Sequence, residues 1–170
     1  SNMQQITKRL ETMVQRQQSS SFLPLPTPEF VLIHTFSHLL IKQLCFDSGY
    51  GATSIKERIY VDSDNNKCGV LIYTADADSE GSFGGLARMC NEKKLSHSIK
   101  NMIQTAEWCS ADPTCLNIGS PGTRGLNKSA CHACSLISET SCSHMNALLD
   151  RGLLVGAKED GVVGFLENYL

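Results

Sequence analysis

Between Cys109 and Cys142 the chain reads CSADPTCLNIGSPGTRGLNKSACHACSLISETSC, which places five of its eight cysteines in 34 residues. Cys131, Cys134 and Cys142 follow the pattern C-x-x-C-x7-C, with His132 between the first two. A C-x-x-C turn offers two thiolates from one tight loop, and Zn²⁺ asks for four soft nitrogen or sulfur donors at the corners of a small tetrahedron. The spacing therefore predicts a metal knuckle with Cys131 and Cys134 as its central pair. Cys142 folds back as the third ligand across the small polar residues of SLISETS. For the fourth, Cys115 behind the Asp112-Pro113 turn is preferred, and Cys109, beside Trp108 at a helix end, is the alternate. Four thiolates close the shell, so the ion is expected to be a structural staple, whereas a catalytic zinc keeps an open position. A deaminase would need H-x-E and P-C-x-x-C, and the chain contains neither.

Two further places could do chemistry. His34 and His38 are four residues apart on an apolar helix, an H-x-x-x-H spacing that can hold a metal, although a buried helix also keeps histidines satisfied by backbone or acidic partners. The stretch ADADSEGSFGGLAR follows a strand and puts Asp76, Asp78 and Glu80 beside Gly81, Gly84 and Gly85. Such a loop could hold a hard cation or, with His34 or His38, supply acid and base to a hydrolase or nuclease-like site. The plainer expectation is a tight glycine turn with solvated acids, because no basic or nucleophilic residue stands beside them. No G-x-x-x-x-G-K-[ST] occurs, so nothing here runs an ATP motor.

The elements that must position these groups follow from periodicity. Met3, Ile6, Leu10 and Met13 recur at spacings of three and four, which predicts an amphipathic arm over residues 1–18, with Ser1-Asn2 read as an expression scar and the whole chain as part of something larger. Residues 19–28, rich in serine and proline, read as a linker, and residues 29–170 as the zinc-binding domain. Thr27-Pro28 caps a second helix that is apolar almost all round and stops at Gly49. Residues 54–61 and 68–75 form a hairpin across DSDNN, and the apolar run VLIYTA suggests a sheet covered on both faces. Residues 93–108 form a third helix leading into Cys109, and SHMNALLDRGLLV a last helix or turn. The fold class is α/β in the α+β sense: a central mixed or antiparallel sheet covered by helices, with a zinc-stapled cysteine-rich knob.

Composition narrows the partners. Fifteen Lys and Arg against seventeen Asp and Glu give a formal net charge of -2, without the basic footprint of an autonomous nucleic-acid binder. Local DNA contact could still come from Lys93, Lys94, Lys100, Arg124 and Lys128. No secretory pattern or membrane-length apolar run is present, and the scattered Cys45, Cys68 and Cys90 suit a reducing compartment, so a cytoplasmic location is expected.

HTFSHLLI, GYGATSIKERIYV, VLIYTADADSEGSFGGLAR, WCSADPTC and LNKSACHACSLISETSCSHMNALLDRGLLV together resemble the MrfA-like zinc-binding domain family (MZB), and in particular its version at the C-terminus of DrmB-type proteins of DISARM phage defence. The likeness spans about Phe30 to Val155. It implies a non-catalytic zinc-binding C-terminal module that works with a DNA helicase subunit or an upstream helicase region in phage defence or DNA repair, through protein contacts and DNA contact, with no membrane role. It carries the cluster onto Cys109, Cys115, Cys131, Cys134 and Cys142 without saying which is spare. It also covers Glu57, Asp150 and Arg151, expected to be ion-pair partners that fix the sheet to the last helix, and His38, expected to be a polar anchor under the glycine loop.

Overall fold

A computed structural model of the chain describes residues 1–18, 22–74, 85–117 and 125–169. Helix α1 spans Asn2–Gln17 and α2 spans Pro28–Ser48; strands β1, Ile55–Asp62, and β2, Lys67–Thr74, form an antiparallel hairpin. Then come α3 (Gly85–Met89), α4 (Glu92–Ala106), α5 (Thr114–Asn117) and α6 (Gly152–Val155). The class is α+β with an antiparallel sheet, as the sequence predicts. Residues 75–84, and with them Asp76, Asp78, Glu80 and all of the SEGSFGG loop but its last glycine, Gly85, lie outside the described residues.

The second helix is the spine. The Thr27 side chain accepts from the Phe30 N–H, Pro28 takes the first turn where its missing N–H costs nothing, and Gly49 ends the helix at φ 75°, a left-handed conformation that favours glycine. Because α2 is apolar on nearly every side, it can be packed from two directions at once. Its first half joins Phe30 and Val31 to Leu10 and Met13 of α1, and to Leu126, Leu148 and Val162. Its second half joins Leu40, Ile41 and Leu44 to Ile55 of β1, Met102 and Ile103 of α4, and Leu154 of α6. The apolar stripe of α1 thus docks on the same chain, in one core with the residues around α6.

The sheet departs from the expectation of burial on both faces. Among the described residues it has two strands, with Ile55 and Glu57 buried against α2, while Tyr60, Leu71 and Tyr73 on the other face are exposed. The reason lies in the period of two: in the continuous run VLIYT, alternate residues must point away from α2, and the described helices cover one side.

The final segment is irregular. Met145, Asn146 and Leu148 all have positive φ. Side-chain amides hold these turns: Asn146 Oδ1 accepts from the Ile137 N–H and its Nδ2 donates to the Ile137 carbonyl, each at 3.0 Å. Asn127 donates to the Asn146 carbonyl at 2.7 Å and accepts from the Leu149 N–H at 3.0 Å. Buried backbone groups that no strand or helix satisfies thus find side-chain partners.

Candidate metal centre

Four sulfurs converge where α4 ends, and they belong to Cys109, Cys115, Cys131 and Cys134. Cys109 Sγ lies 3.5 Å from Cys131 Sγ, and Cys134 Sγ lies 3.8 Å from both Cys115 and Cys131. These separations are far too long for disulfides, yet close to the edge of about 3.8 Å that a tetrahedron with Zn–S bonds of about 2.3 Å requires. The residues therefore fit a zinc ion. Cys142, the expected third ligand, is elsewhere, and Cys109, the expected alternate, is inside the cluster.

Local chemistry explains how each thiol arrives. The Asp112 carboxylate accepts from the Cys109 N–H at 2.8 Å, folding the chain back just after α4. Cys115 lies on α5, its N–H donating to the Ala111 carbonyl at 2.9 Å. At the knuckle, the Cys131 carbonyl accepts from the N–H groups of Cys134, Ser135 and Leu136, a tight turn that sets both side chains on one side. Lys42 of α2 crosses to the back of this turn and donates to the carbonyls of His132 and Ala133, both at 3.2 Å.

Arg151 locks the whole arrangement. It is fully buried and donates from Nη1 to the Ala106 carbonyl at 2.7 Å, from Nε to the Ser129 carbonyl at 3.3 Å, and from Nη2 to both oxygens of Asp112 at 3.0 Å. One guanidinium thus joins the end of α4, the turn carrying Cys109 and Cys115, and the approach to the knuckle. Of the ion-pair partners expected from the sequence, Arg151 pairs with Asp112, Asp150 with Arg9, and Glu57 with His34 and His38.

The electrostatics suit a cation. Burial pushes the Cys109 and Cys115 thiols up. Burial also opposes ionisation at Cys131, but N–H donors of the knuckle and the Cys109 thiol outweigh it and bring Cys131 down to about 7. One thiolate forms readily; several thiolates so close together need a positive ion between them.

His34 and His38 are both fully buried, which leaves neither ring open to a substrate. His38 Nδ1 donates to the Ser135 carbonyl at 3.0 Å and its Nε2 lies 3.2 Å from Glu57 Oε1. His34 Nε2 lies 3.1 Å from the same oxygen and 3.3 Å from Cys142 Sγ. Burial lowers the His34 ring to about 4 against the pull of Glu57, whereas at Glu57 the bonds from the two histidines overcome burial and hold the carboxyl well below its usual range. Both shifts make the folded state bind fewer protons than the unfolded chain. Stability should thus be full above about pH 6.5 and fall as the pH drops toward 4, by about 3 kcal/mol from His34 alone, with Glu57 adding its loss below about 4.5. Urea unfolding of metal-free wild type and His34→Gln, with a chelator present throughout, at about pH 7 and about pH 4.5 checks this: the variant should lose most of the pH slope, and an equal slope in both would refute the assignment.

Of the basic residues considered for DNA contact, Lys93, Lys94 and Lys100 are exposed on α4, Lys128 is half-buried, and Arg124 lies outside the described residues. A groove of about 700 Å³ runs beside the four-sulfur cluster between α2 and α4, with the exposed side chains of Phe46 and Trp108 at its rim. Sequence patterning did not single out this groove, since it arises from the crossing of two helices.

Comparison with known proteins agrees with the geometry. The sequence model of the MrfA Zn-binding domain (MZB) matches residues 36–135, more than half of the chain and a span that includes all four converging cysteines. The DISARM protein DrmB of Bacillus paralicheniformis is 49% identical over 141 residues. That alignment takes in 83% of this chain, which spans about a quarter of the length of that relative.

Proposed function

The chain belongs to the MrfA Zn-binding domain family, and from that premise we propose that it is the zinc-stapled C-terminal module of a DrmB-like protein acting in phage defence. Its role in this reading is to bind a DNA helicase component, without chemistry of its own. Cys109, Cys115, Cys131 and Cys134 hold the zinc, and the closed four-sulfur geometry is the observation that carries the reading. Thiolates at all four corners leave no position for water or substrate, so the ion supplies rigidity rather than Lewis acidity.

What the zinc makes rigid is a surface. Cys109 and Cys134 line one wall of the groove whose rim carries Phe46, 86% exposed, and Trp108, 69% exposed. Two large aromatic side chains held in water beside a concave apolar wall are the features of a protein-binding hot spot. DNA contact is secondary in this reading and confined to the exposed lysines of α4, because the net charge is negative.

Affinity purification of the full-length protein from cells that also express its neighbouring helicase tests the proposal. The helicase should co-purify with wild type and be retained at least tenfold less by Trp108→Ala, which leaves the cysteines untouched. Absence of the helicase from the wild-type eluate, or full retention by Trp108→Ala, would count against this role for the groove.

A further inference from the structure

A second group of metal-ligating side chains lies outside the four-sulfur cluster. His34 of α2, Glu57 of β1, and Cys142 and His144 of the following loop bring one potential ligand atom each within 4.8 Å of one another. The pairs already closest, His34 Nε2 to Glu57 Oε1 at 3.1 Å and to Cys142 Sγ at 3.3 Å, approach the edges of about 3.3–3.6 Å expected for mixed nitrogen, oxygen and sulfur donors around zinc.

Hydrogen bonding alone leaves this group unresolved. Among the described residues, four buried side-chain atoms have no hydrogen-bond partner, and three of them are His34 Nδ1, Glu57 Oε2 and His144 Nδ1. Natural interiors rarely tolerate such orphans; an ion held by His34 Nε2 and Glu57 Oε1 could also take up Glu57 Oε2 and His144 Nδ1, while His34 Nδ1, on the far side of its ring, is not explained by it. Cys142 Sγ meanwhile accepts N–H groups from His144 at 3.3 Å and Asn146 at 3.4 Å, which hold the sulfur in place facing His34. His38, held through Nδ1 by the Ser135 carbonyl, fixes Glu57 from behind. Carboxylate and thiolate together would place two negative charges in a dry interior, a combination that a divalent cation offsets.

We infer that His34, Glu57, Cys142 and His144 form a second metal site, taking one divalent transition-metal ion with zinc best matched to the donor set. Three ligands come from residues that are under a tenth exposed, so the site is structural: it ties β1 and the 142–144 loop to the spine helix. His38 is a positioning residue, since it meets the ligand Glu57 and, through Ser135, the residue next to Cys134 of the first cluster.

Metal analysis of the whole chain, loaded with zinc and dialysed against a weak chelator, is the test. Wild type should hold two zinc ions per chain, and X-ray absorption should report a mean shell of about 2.5 sulfur and 1.5 nitrogen or oxygen donors per zinc. His144→Ala and Cys142→Ser should each hold one zinc in an all-sulfur shell, and Cys131→Ser should keep a zinc ion with a single sulfur donor. One zinc per wild-type chain with four sulfur donors would overturn the inference. So would two zinc ions retained by both His144→Ala and Cys142→Ser. The wild-type absorption spectrum decides the matter without any variant, so a substitution that fails to fold does not shield the proposal.

Discussion

A chain carrying Cys109→Ser will lose the zinc of the four-sulfur cluster, whereas one carrying Cys142→Ser will keep it. Structural zinc binds small cysteine sites with apparent free energies of about 10–16 kcal/mol, and replacing one of four thiolates removes a large share of that. The described residues build two hydrophobic clusters without the zinc, so loss of zinc should not unfold the chain outright. The measurable loss is the linkage term, about 4 kcal/mol for a site filled at a thousand times its dissociation constant. At roughly 2–4 °C per kcal/mol for a domain of this size, melting should fall by about 10 °C. Cobalt substitution gives the second readout: Cys142→Ser should retain the strong charge-transfer absorption of a four-thiolate centre and Cys109→Ser should lose it. The reverse pattern would restore the ligand set that spacing alone prefers.

Why spacing preferred Cys142 can be put in physical terms. The C-x-x-C pair is a local structure, and its turn is legible because all of its hydrogen bonds fall within a few residues. The choice of partners is not local. Cys142 is drawn away because the Ser141 carbonyl accepts from the Glu57 N–H at 3.1 Å and the Ser141 hydroxyl donates to the Ala52 carbonyl at 3.0 Å, which pins this stretch to the hairpin. Cys109 is brought in by Asp112 and Arg151, and the latter lies 42 positions along the chain. No periodicity carries that information. By contrast, the spine helix with its Thr27 cap and Gly49 stop, the hairpin, and α4 with Met102, Ile103 and Ala106 inward were all readable, since caps, turns and apolar stripes are short-range signals. The turns around Met145, Asn146 and Leu148 were not, because positive φ at non-glycine residues depends on tertiary partners such as Asn127.

The same contrast governs the first helix, and it sets the second large effect. Arg9→Ala should destabilise the chain by about 3–5 kcal/mol, the cost of leaving a buried charge without its partner. Arg9 donates from Nε to Asp150 Oδ2 at 2.6 Å and from Nη2 to Asp150 Oδ1 at 2.8 Å and Ser129 Oγ at 2.7 Å, with a further ion pair to Asp160. Asp150 is completely buried, and burial pushes its carboxyl up, opposed chiefly by Arg9. Without the guanidinium the carboxyl must rise further, so the folded variant binds a proton that the unfolded chain releases, and its stability falls as the pH rises through that interval. The cost of Arg9→Ala should accordingly be largest near pH 7 and shrink toward about pH 5, a sign opposite to the acid loss expected from His34 and Glu57. Asp150→Asn placed on top of Arg9→Ala should recover part of the stability and abolish that pH dependence, because the charge is gone. Urea unfolding of the two variants across this range decides it. If Arg9→Ala cost less than about 1 kcal/mol at neutral pH, the pair would behave as a surface ion pair, and α1 would be an arm resting on the domain rather than a part of its core.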